Sequence, residues 1–318
     1  MPGIAVLGGA GFIGSHIVDE LLATGQRDVL VLDDLSEGSL DNLGRWKGDP
    51  RLEFVRGDIR DFSTVRRALD GKTAVFHLAA CSRIQPSITD PSIAWTSNLL
   101  GTGNVLEACR LGGVKRVVYS ASSSAYGRLT TMPAREDCPT DCLNPYSLSK
   151  KVGEDMMDMY RELYGLSTVS LRYFNVYGPR HQEQGSYATV VAIFRRQARL
   201  GQPLTIVGDG EQRRDFTFVG DVVRANMMAM MDRTVSGVIN IGFGKNFSIN
   251  EVAELVAPGH PTVNLPPRLG EARLTLADTS KARELMGWRP SVSLEDGLQV
   301  LQQYESVNGF RSPIVVVG

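Results

Sequence analysis

A tyrosine and a lysine stand four residues apart in the segment NPYSLSK, residues 144–150. This spacing places Tyr146 and Lys150 on one face of a helix, where a phenol and an ammonium group can act together. A phenol has a pKa of about 10, too high for a base at neutral pH, and a nearby positive charge lowers that pKa. Such a pair alone is more often structural, but together with the glycine-rich and serine-rich segments described next it predicts proton transfer to or from a substrate hydroxyl.

A second polar segment, SASSSAYG at residues 120–127, follows an apolar, strand-like run. It supplies four serine hydroxyls and no carboxylate. A serine hydroxyl can form hydrogen bonds with a reacting group, but it cannot act as a general acid or base at neutral pH. The segment therefore offers hydroxyls at a strand end, and the residues alone leave open which of them takes part in a reaction.

A glycine-rich segment, GGAGFIG at residues 8–14, contains G-x-G-x-x-G between an apolar run and a helix candidate. Residues without a Cβ let backbone N–H groups and the helix N-terminus approach a pyrophosphate. Asp33 ends the second apolar run, where a carboxylate accepts hydrogen bonds from ribose hydroxyls and repels a 2′-phosphate. Because no arginine follows before Arg45, the pattern predicts NAD rather than NADP. Asp58 either meets the adenine or is a turn residue at a strand end.

The elements that must position these residues alternate along the first half of the chain. Apolar runs predict six strands, at residues 4–7, 29–32, 52–55, 74–78, 116–119 and 168–171. Helix candidates such as 13–23 and 92–111 lie between them. This alternation is typical of a doubly wound parallel sheet with strands buried on both faces. We therefore predict an α/β, Rossmann-type fold with a smaller, interleaved C-terminal α/β substrate domain.

Helices dominate the pattern after about residue 174. Helices are predicted at 189–200, 221–231, 249–256, 279–286 and 294–304, and short strands at 204–207 and 238–241. No low-complexity linker marks a boundary. We expect an NAD-binding domain over 1–174 plus about 216–243, and a nucleotide-sugar domain over about 175–215 plus 244–318.

Composition argues against several classes of partner. The chain of 318 residues has a net charge of −1, so no overall field attracts nucleic acid or an anionic membrane. No apolar run approaches the roughly 18 residues of a membrane span, and no secretion signal precedes the first strand. Cys138 and Cys142 have no further Cys or His nearby to complete a zinc site. We expect a cytoplasmic protein that binds no metal, nucleic acid or membrane.

These motifs together resemble the extended short-chain dehydrogenases/reductases, in the NAD-dependent sugar epimerase/dehydratase family. The resemblance rests on G-x-x-G-x-x-G within residues 8–14, on hydroxyl residues upstream of Tyr-x-x-x-Lys, and on LRYFNVYGPR at 171–180. It implies that Ser122, four residues before Tyr126, is catalytic together with Tyr146 and Lys150. It also implies a tightly bound NAD that is regenerated in each cycle, and a homodimer.

The same resemblance implies which residues contact the cofactor and the substrate. Those expected to contact NAD are Gly8, Gly11, Phe12, Ile13, Gly14, Asp33, Asp34, Asp58, Ile59, Leu78, Ala79, Ala80, Asn98, Tyr146, Lys150, Tyr173 and Phe174. Those expected to contact a UDP-sugar are Ser82, Arg83, Ser122, Ser123, Tyr146, Asn175, Tyr187, Val190, Arg214, Arg268, Glu271 and Thr275. Two guanidinium groups, of Arg214 and Arg268, suit a diphosphate because each donates a forked pair of hydrogen bonds. Thr275 stands where similar epimerases gate the sugar, and its small size implies that an N-acetyl group fits.

The implied reaction is C4 epimerisation of a UDP-hexose through a transient 4-keto sugar, as in UDP-N-acetylglucosamine and UDP-glucose 4-epimerases. Related dehydratases carry Asp-Glu where this chain has Ser123 and Ser124, and related decarboxylases carry an extra arginine just before the lysine. Arg83 could bind the carboxylate of UDP-glucuronate, the cofactor phosphates or solvent, so a UDP-glucuronate 4-epimerase is an alternative. The pattern also leaves open a dehydratase, decarboxylase or reductase of the family, and a non-catalytic NAD-binding regulator.

Overall fold

A computed structural model describes residues 3–183 and 188–308. The strands of its central sheet are β1 (Gly3–Leu7), β2 (Val29–Asp33), β3 (Leu52–Arg56), β4 (Lys72–His77), β5 (Arg116–Ser122), β6 (Ser167–Tyr173) and β11 (Gly237–Ile241). They are parallel, in the order β11-β6-β5-β4-β1-β2-β3. The chain therefore winds outwards in both directions from β1 and β4, which confirms the predicted doubly wound α/β fold.

Helices connect these strands and cover both faces of the sheet. They are α1 (Phe12–Ala23), α2 (Phe62–Ala68), α3 (Ile84–Thr89), α4 (Pro91–Ile93), α5 (Gly101–Gly112), α6 (Pro145–Tyr164), α7 (Val190–Arg199), α8 (Val219–Met231), α9 (Ile249–Val256), α10 (Ser280–Met286) and α11 (Leu294–Asn308). A π-helical stretch, Ala94–Leu100, joins α4 to α5, and 3₁₀ helices cover Leu40–Trp46 and Ser123–Tyr126. The region predicted as one helix over 92–111 is therefore helical throughout. Its π-helical stretch is wider than an α-helix, because the backbone hydrogen bonds there join residues i and i+5.

Short strands in the second half form three small two-stranded sheets. They are β7 (Val176–Tyr177), β8 (Leu204–Val207), β9 (Arg213–Asp215), β10 (Thr217–Phe218), β12 (Asn246–Ser248) and β13 (Thr262–Leu265). β7 pairs with β10 and β8 with β13 in parallel, whereas β9 and β12 are antiparallel. Sequence analysis predicted only β8 among these, because strands of two to four residues carry too little periodicity to be recognised.

Apolar side chains pack on both faces of the central sheet. One core joins α1 and α8 to the sheet and includes Ile17 and Val222; the other joins α2, α5 and α6 and includes Val105 and Met157. A third core around Phe194 is built from elements of the second half, among them α7, β8, α9 and α11. The boundaries between the two expected domains stay a prediction. Within residues 3–183 and 188–308, no helix is long and apolar enough to cross a membrane.

Candidate active site

A cleft of about 520 Å³ opens at the carboxyl ends of the central strands, next to the point where the strand order reverses. Crevices at this position are where open α/β sheets bind ligands. Its walls come from the segments that follow β1 to β5 and from three parts of the second half, near residues 175, 214 and 270. The lining includes Gly8, Gly11, Phe12, Ile13, Gly14, Asp33, Asp34, Asp58, Ile59, Leu78, Ala79, Ala80, Tyr146, Lys150 and Tyr173, all predicted to contact NAD.

The turn after β1 fits a dinucleotide. Gly8 has φ +81°, and a Cβ on it would lie 2.7 Å from the Ala79 nitrogen, so the turn requires glycine there. Helix α1 begins directly after Gly11, and no side chain caps its N-terminus. Its first N–H groups thus face the cleft without a side-chain acceptor, which is the arrangement that binds phosphate at a helix N-terminus.

Asp33 ends β2 on the floor of the cleft. Its Oδ2 accepts a hydrogen bond from the Ala10 N–H and its Oδ1 one from the Leu35 N–H, both at 2.9 Å. Each carboxylate oxygen has a further lone pair that a ribose hydroxyl can use. Burial raises the pKa of the Asp33 carboxyl, and the two backbone donors partly offset that rise.

Asp58 lines the same end of the cleft and acts as a turn residue. It accepts hydrogen bonds from the Arg60 backbone N–H and from the Arg60 guanidinium, both at 2.8 Å. The bond to the guanidinium lowers the pKa of the Asp58 carboxyl below its usual range. The turn role is therefore visible in the structure, and contact with adenine stays a prediction.

Ser122 and Tyr146 both line the cleft. Ser122 is the last residue of β5, and its Oγ lies 2.9 Å from the Oγ of Ser124. Burial raises the pKa of the Tyr146 phenol, whereas a hydrogen bond with Ser122 and the positive charge of Arg83 lower it. The structure thus brings the hydroxyl of Ser122 to the same cleft as the tyrosine, and its catalytic role stays a prediction.

Lys150 lies one helical turn after Tyr146 and is buried. Its Nζ donates a hydrogen bond to the Ser120 carbonyl oxygen at 2.8 Å and lies 5.0 Å from the centre of the Tyr119 ring. Burial lowers the pKa of the ammonium group to about 8. Lys150 is therefore held against β5, at the edge of the cleft where the predicted nicotinamide ribose would bind.

Two contacts fix the first turn of α6, which carries these groups. The Tyr146 N–H donates to the Ser87 Oγ of α3 at 3.1 Å. Asn98 donates from Nδ2 to the Ser149 Oγ at 2.8 Å, and Ser149 donates to the Tyr146 carbonyl oxygen. The phenol is therefore held by a turn of helix whose backbone is bonded from two sides.

The second half supplies two arginines and a hydroxyl to the far wall. Arg214 is mostly buried on β9, and one of its guanidinium nitrogens lies 3.7 Å from a carboxylate oxygen of Glu271. Arg268 is exposed at the cleft rim. The Thr275 Oγ1 accepts hydrogen bonds from the Asn175 Nδ2 at 3.2 Å and from the Asp215 N–H at 3.1 Å. These side chains surround a space that suits an anionic ligand with a sugar.

Most of the predicted substrate residues are brought together here. Those on the cleft wall are Ser82, Arg83, Ser122, Ser123, Tyr146, Asn175, Arg214, Arg268, Glu271 and Thr275. Tyr187 lies outside the described residues. Val190 is not on the wall, since it packs against the core around Phe194.

Two of the residues predicted to contact NAD lie behind the wall. Asn98 is buried. Its Oδ1 accepts a hydrogen bond from the Cys81 N–H, and its Nδ2 donates to the Cys81 carbonyl oxygen as well as to Ser149. Phe174 packs in a small apolar cluster with Tyr126. Because their side chains are committed to these internal contacts, the structure does not bring them to the cleft surface.

The cleft also contains polar residues that sequence analysis missed. Glu37 accepts a hydrogen bond from the Ser82 Oγ at 2.7 Å, and its carbonyl oxygen accepts one from the Gln182 Nε2 at 2.6 Å. Gln85 and Asn144 line the opposite end. Asn144 alone had a recognisable signal, because Asn followed by Pro is typical of a helix start. The contacts of the others join distant segments and leave no local pattern.

Comparison with known proteins agrees with this geometry. Residues 4–242 match the model of the NAD dependent epimerase/dehydratase family. A UDP-glucose 4-epimerase of Mycolicibacterium smegmatis is 40% identical over 300 residues, which cover 92% of this chain and 95% of that protein. The crystal structure of a Thermotoga maritima UDP-glucose 4-epimerase with UDP-glucose has a TM-score of 0.88 and 38% identity, covering 96% of this chain and 99% of the other.

A second solved structure binds a different ligand. It is a UDP-N-acetylglucosamine 4-epimerase from Methanobrevibacter ruminantium in complex with UDP-N-acetylmuramic acid, with a TM-score of 0.89 and 32% identity. The match covers 96% of this chain and 98% of that one. The resemblance seen in the sequence and the choice of NAD as cofactor are thereby confirmed, and the chain belongs to the NAD dependent epimerase/dehydratase family.

Proposed function

We propose that this protein is an NAD-dependent C4-epimerase of UDP-hexoses, UDP-glucose/UDP-galactose or UDP-N-acetylglucosamine/UDP-N-acetylgalactosamine. The observation that carries the proposal is that Ser122, Tyr146 and Lys150 line one cleft, with hydroxyls and no acids at the two positions after Ser122. The two relatives named above that act on UDP-glucose, and the one that acts on UDP-N-acetylglucosamine, support it.

The roles of the chain's own groups follow from their places in the cleft. Tyr146, as phenolate, accepts the proton of the C4 hydroxyl, and Ser122 hydrogen-bonds both the phenol oxygen and that hydroxyl. NAD, held by the turn after β1, Asp33 and Lys150, would supply the hydride acceptor and donor that oxidation and re-reduction at C4 require. Tyr146 then gives the proton back, so that the protein ends the cycle as it began.

Five groups would hold the reactants during this exchange. Asp33 and the N-terminus of α1 would hold the adenosine and the pyrophosphate of the cofactor, and Lys150 would hold the nicotinamide ribose. Arg214 and Arg268 hold the diphosphate of the substrate while the sugar turns about its linking bonds. Ser123 and Ser124 provide no acid for water loss, so a 4-keto sugar is returned to a sugar alcohol.

The experiment that tests the proposal is incubation with UDP-glucose, UDP-N-acetylglucosamine and UDP-glucuronate separately, with products resolved by NMR. A C4 epimer of one of the first two, formed without added NADH, is expected. In Tyr146→Phe, which lacks only the phenol oxygen, the rate is expected to fall by roughly 10²- to 10⁴-fold. Failure of all three substrates, or an unchanged rate in Tyr146→Phe, would contradict the proposed function.

A second candidate rests on Arg83, whose guanidinium lies in the cleft close enough to lower the pKa of Tyr146. A cation beside the reacting carbon could also pair with the C6 carboxylate of a hexuronate. If UDP-glucuronate alone is epimerised, the protein is a UDP-glucuronate 4-epimerase instead.

We further propose that the protein is a homodimer formed through α6. Leu148, Met159 and Leu163 expose 45%, 43% and 67% of their surface on one side of this helix. Their spacing of 11 and 4 residues keeps them on a common face. Leu100, in the π-helical stretch that packs beside α6, is 53% exposed. An apolar face of this size on a helix is better covered by another copy than by water.

A further inference from the structure

We propose that Asn144 is a positioning residue that fixes the 266–272 loop to the first turn of the catalytic helix α6. This inference rests on the proposed function and extends it to a residue outside the catalytic group. The loop carries Arg268 and Glu271, and Asn144 comes two residues before Tyr146. One side chain would thus set the distance between the nucleotide-binding wall and the reacting phenol.

Both polar atoms of the Asn144 side-chain amide, Oδ1 and Nδ2, form hydrogen bonds. Its Oδ1 accepts a hydrogen bond from the Ser147 N–H at 2.8 Å, and the Asn144 N–H donates to the Ser147 Oγ at 3.2 Å, which together cap the helix. Its Nδ2 donates to the Gly270 carbonyl oxygen at 2.8 Å. The cap needs only an acceptor, which Ser or Asp also supplies, whereas the bond to Gly270 needs the amide donor.

The loop lies tightly against this end of the helix. Gly270 has φ +76°, and a Cβ on it would lie 2.8 Å from the Ile88 Cδ1 and 3.4 Å from the Asn144 Cβ. Gln85 donates from Nε2 to the Leu269 carbonyl oxygen at 3.1 Å and to the Glu271 Oε1 at 3.3 Å. Two helix ends, of α3 and α6, therefore hold the middle of the loop.

The same loop reaches the predicted diphosphate site on its other side. The second carboxylate oxygen of Glu271 faces the guanidinium of Arg214. In the other direction, Ser87 of α3 accepts the hydrogen bond from the Tyr146 N–H. The loop is thus bracketed between the group that would hold the substrate's diphosphate and the group that would remove its proton. Ordering it in advance lowers the entropy cost of binding the nucleotide.

The test uses Asn144→Ser in the full-length, NAD-loaded protein. A serine keeps an acceptor for the cap but is too short to present an amide donor to Gly270. We measure the Kd of UDP by calorimetry, KM and kcat with the UDP-sugar that the wild type epimerises, the NAD content and the Tm. We expect the Kd of UDP and the KM for the UDP-sugar each to rise about tenfold, because the hydrogen bond to Gly270 is lost. Changes in kcat, NAD content and Tm are expected to be small by comparison.

Asn264→Ser is the matched control. Asn264 lies on β13, just before the same loop, and its Nδ2 donates to the Gly208 carbonyl oxygen at 2.7 Å, away from α6. This variant loses the same kind of bond and is expected to bind UDP like the wild type. Asn144→Ala, which loses the cap as well, is expected to lower the Tm in addition to weakening UDP binding.

Two outcomes would overturn the inference alone. If Asn144→Ser binds UDP as tightly as the wild type, the bond to Gly270 does not position the loop, and the proposed function is unaffected. If Asn144→Ser lowers the Tm and NAD content as much as Asn144→Ala does, Asn144 is a structural cap only. A wild-type protein that neither epimerises a UDP-sugar nor binds UDP would overturn the proposed function together with this inference.

Discussion

The Nζ of Lys150 lies 2.8 Å from the carbonyl oxygen of Ser120, so helix α6 is bonded directly to the end of the central strand β5. The ammonium group also lies over the Tyr119 ring, and the His77 ring lies 5.4 Å from the Tyr119 ring between centroids, tilted by 41°. Burial and the charge of Lys150 lower the pKa of His77 to about 3, so the imidazole stays neutral beside the ammonium. The lysine is thus the single positive charge among these three buried groups.

The depressed pKa of Lys150 predicts a pH-dependent stability. Below a pH of about 8 the lysine is protonated in the folded and the unfolded chain alike. Between about 8 and 10.4 the unfolded chain keeps a proton that the folded protein has lost, so the free energy of unfolding rises with pH. We expect the wild type to gain roughly 1–3 kcal/mol relative to Lys150→Met across this range. Urea unfolding of both proteins at pH 7.5 and 9.5 measures it, and parallel pH dependences would contradict it.

A second prediction concerns Arg83, which faces Tyr146 across the cleft. Because its charge lowers the pKa of the phenol, Arg83→Gln is expected to raise that pKa. The ascending limb of the profile of kcat/KM against pH, which reports ionisation of the base, then moves to higher pH, and activity at pH 7 falls. The profile is measured with UDP-glucose, which has no carboxylate for Arg83 to bind.

Arg83→Lys is the control, because it keeps a positive charge at this position. It is expected to leave the ascending limb near its wild-type position. A profile of Arg83→Gln that keeps its shape and drops equally at every pH would show that Arg83 acts in binding and does not influence the ionisation of Tyr146.

Sequence patterns predicted the central sheet well because most of its strands are buried on both faces and read as continuous apolar runs. The GGAGFIG turn and Asp33 were also recognisable, because their residue types and their positions after the first and second apolar runs can be read from short stretches of sequence. The hydrogen bond between Asn144 and Gly270 could not be predicted from the sequence, because the two residues are 126 positions apart. Glu37 and Gln182 are 145 positions apart, and neither has a neighbour in the sequence that hints at the other. Contacts of this kind depend on how the second half folds back over the sheet.

A third prediction tests the acid at the end of β2. Asp33→Ala removes the acceptor for the Ala10 and Leu35 N–H groups as well as the group expected to bind the ribose. We expect the purified variant to retain far less NAD than the wild type, with an affinity for added NAD at least about tenfold lower. The bound cofactor is released by acid and quantified enzymatically. A full complement of NAD in Asp33→Ala would exclude the carboxylate from cofactor binding.

A fourth prediction concerns the buried ion pair of Glu154 and Arg172. Two hydrogen bonds of 2.7 Å join the carboxylate to the guanidinium, and both side chains are almost fully buried between α6 and β6. Glu154→Gln leaves a buried arginine without its counter-charge, and is expected to lower the free energy of unfolding by about 3–5 kcal/mol. Urea unfolding at pH 7 measures the loss.

The double variant Glu154→Gln/Arg172→Met separates pairing from packing. Because it removes the uncompensated charge, it is expected to be more stable than Glu154→Gln alone. If the double variant is the less stable of the two, the arginine contributes mainly through its contacts, which include the face of the Tyr126 ring at 4.6 Å.

The fifth prediction tests the proposed dimer through the exposed face of α6. Leu163→Asp places a charge at the most exposed of its apolar positions, where a partner helix would have to desolvate it. We expect the variant to be a monomer by size-exclusion chromatography with light scattering, at concentrations where the wild type is a dimer. Leu285→Asp, on α10, changes a leucine that is 45% exposed but lies outside this face, and is expected to remain a dimer. A monomeric wild type would contradict the proposed dimer. A Leu163→Asp variant that remains a dimer would show that the dimer does not form through this face of α6.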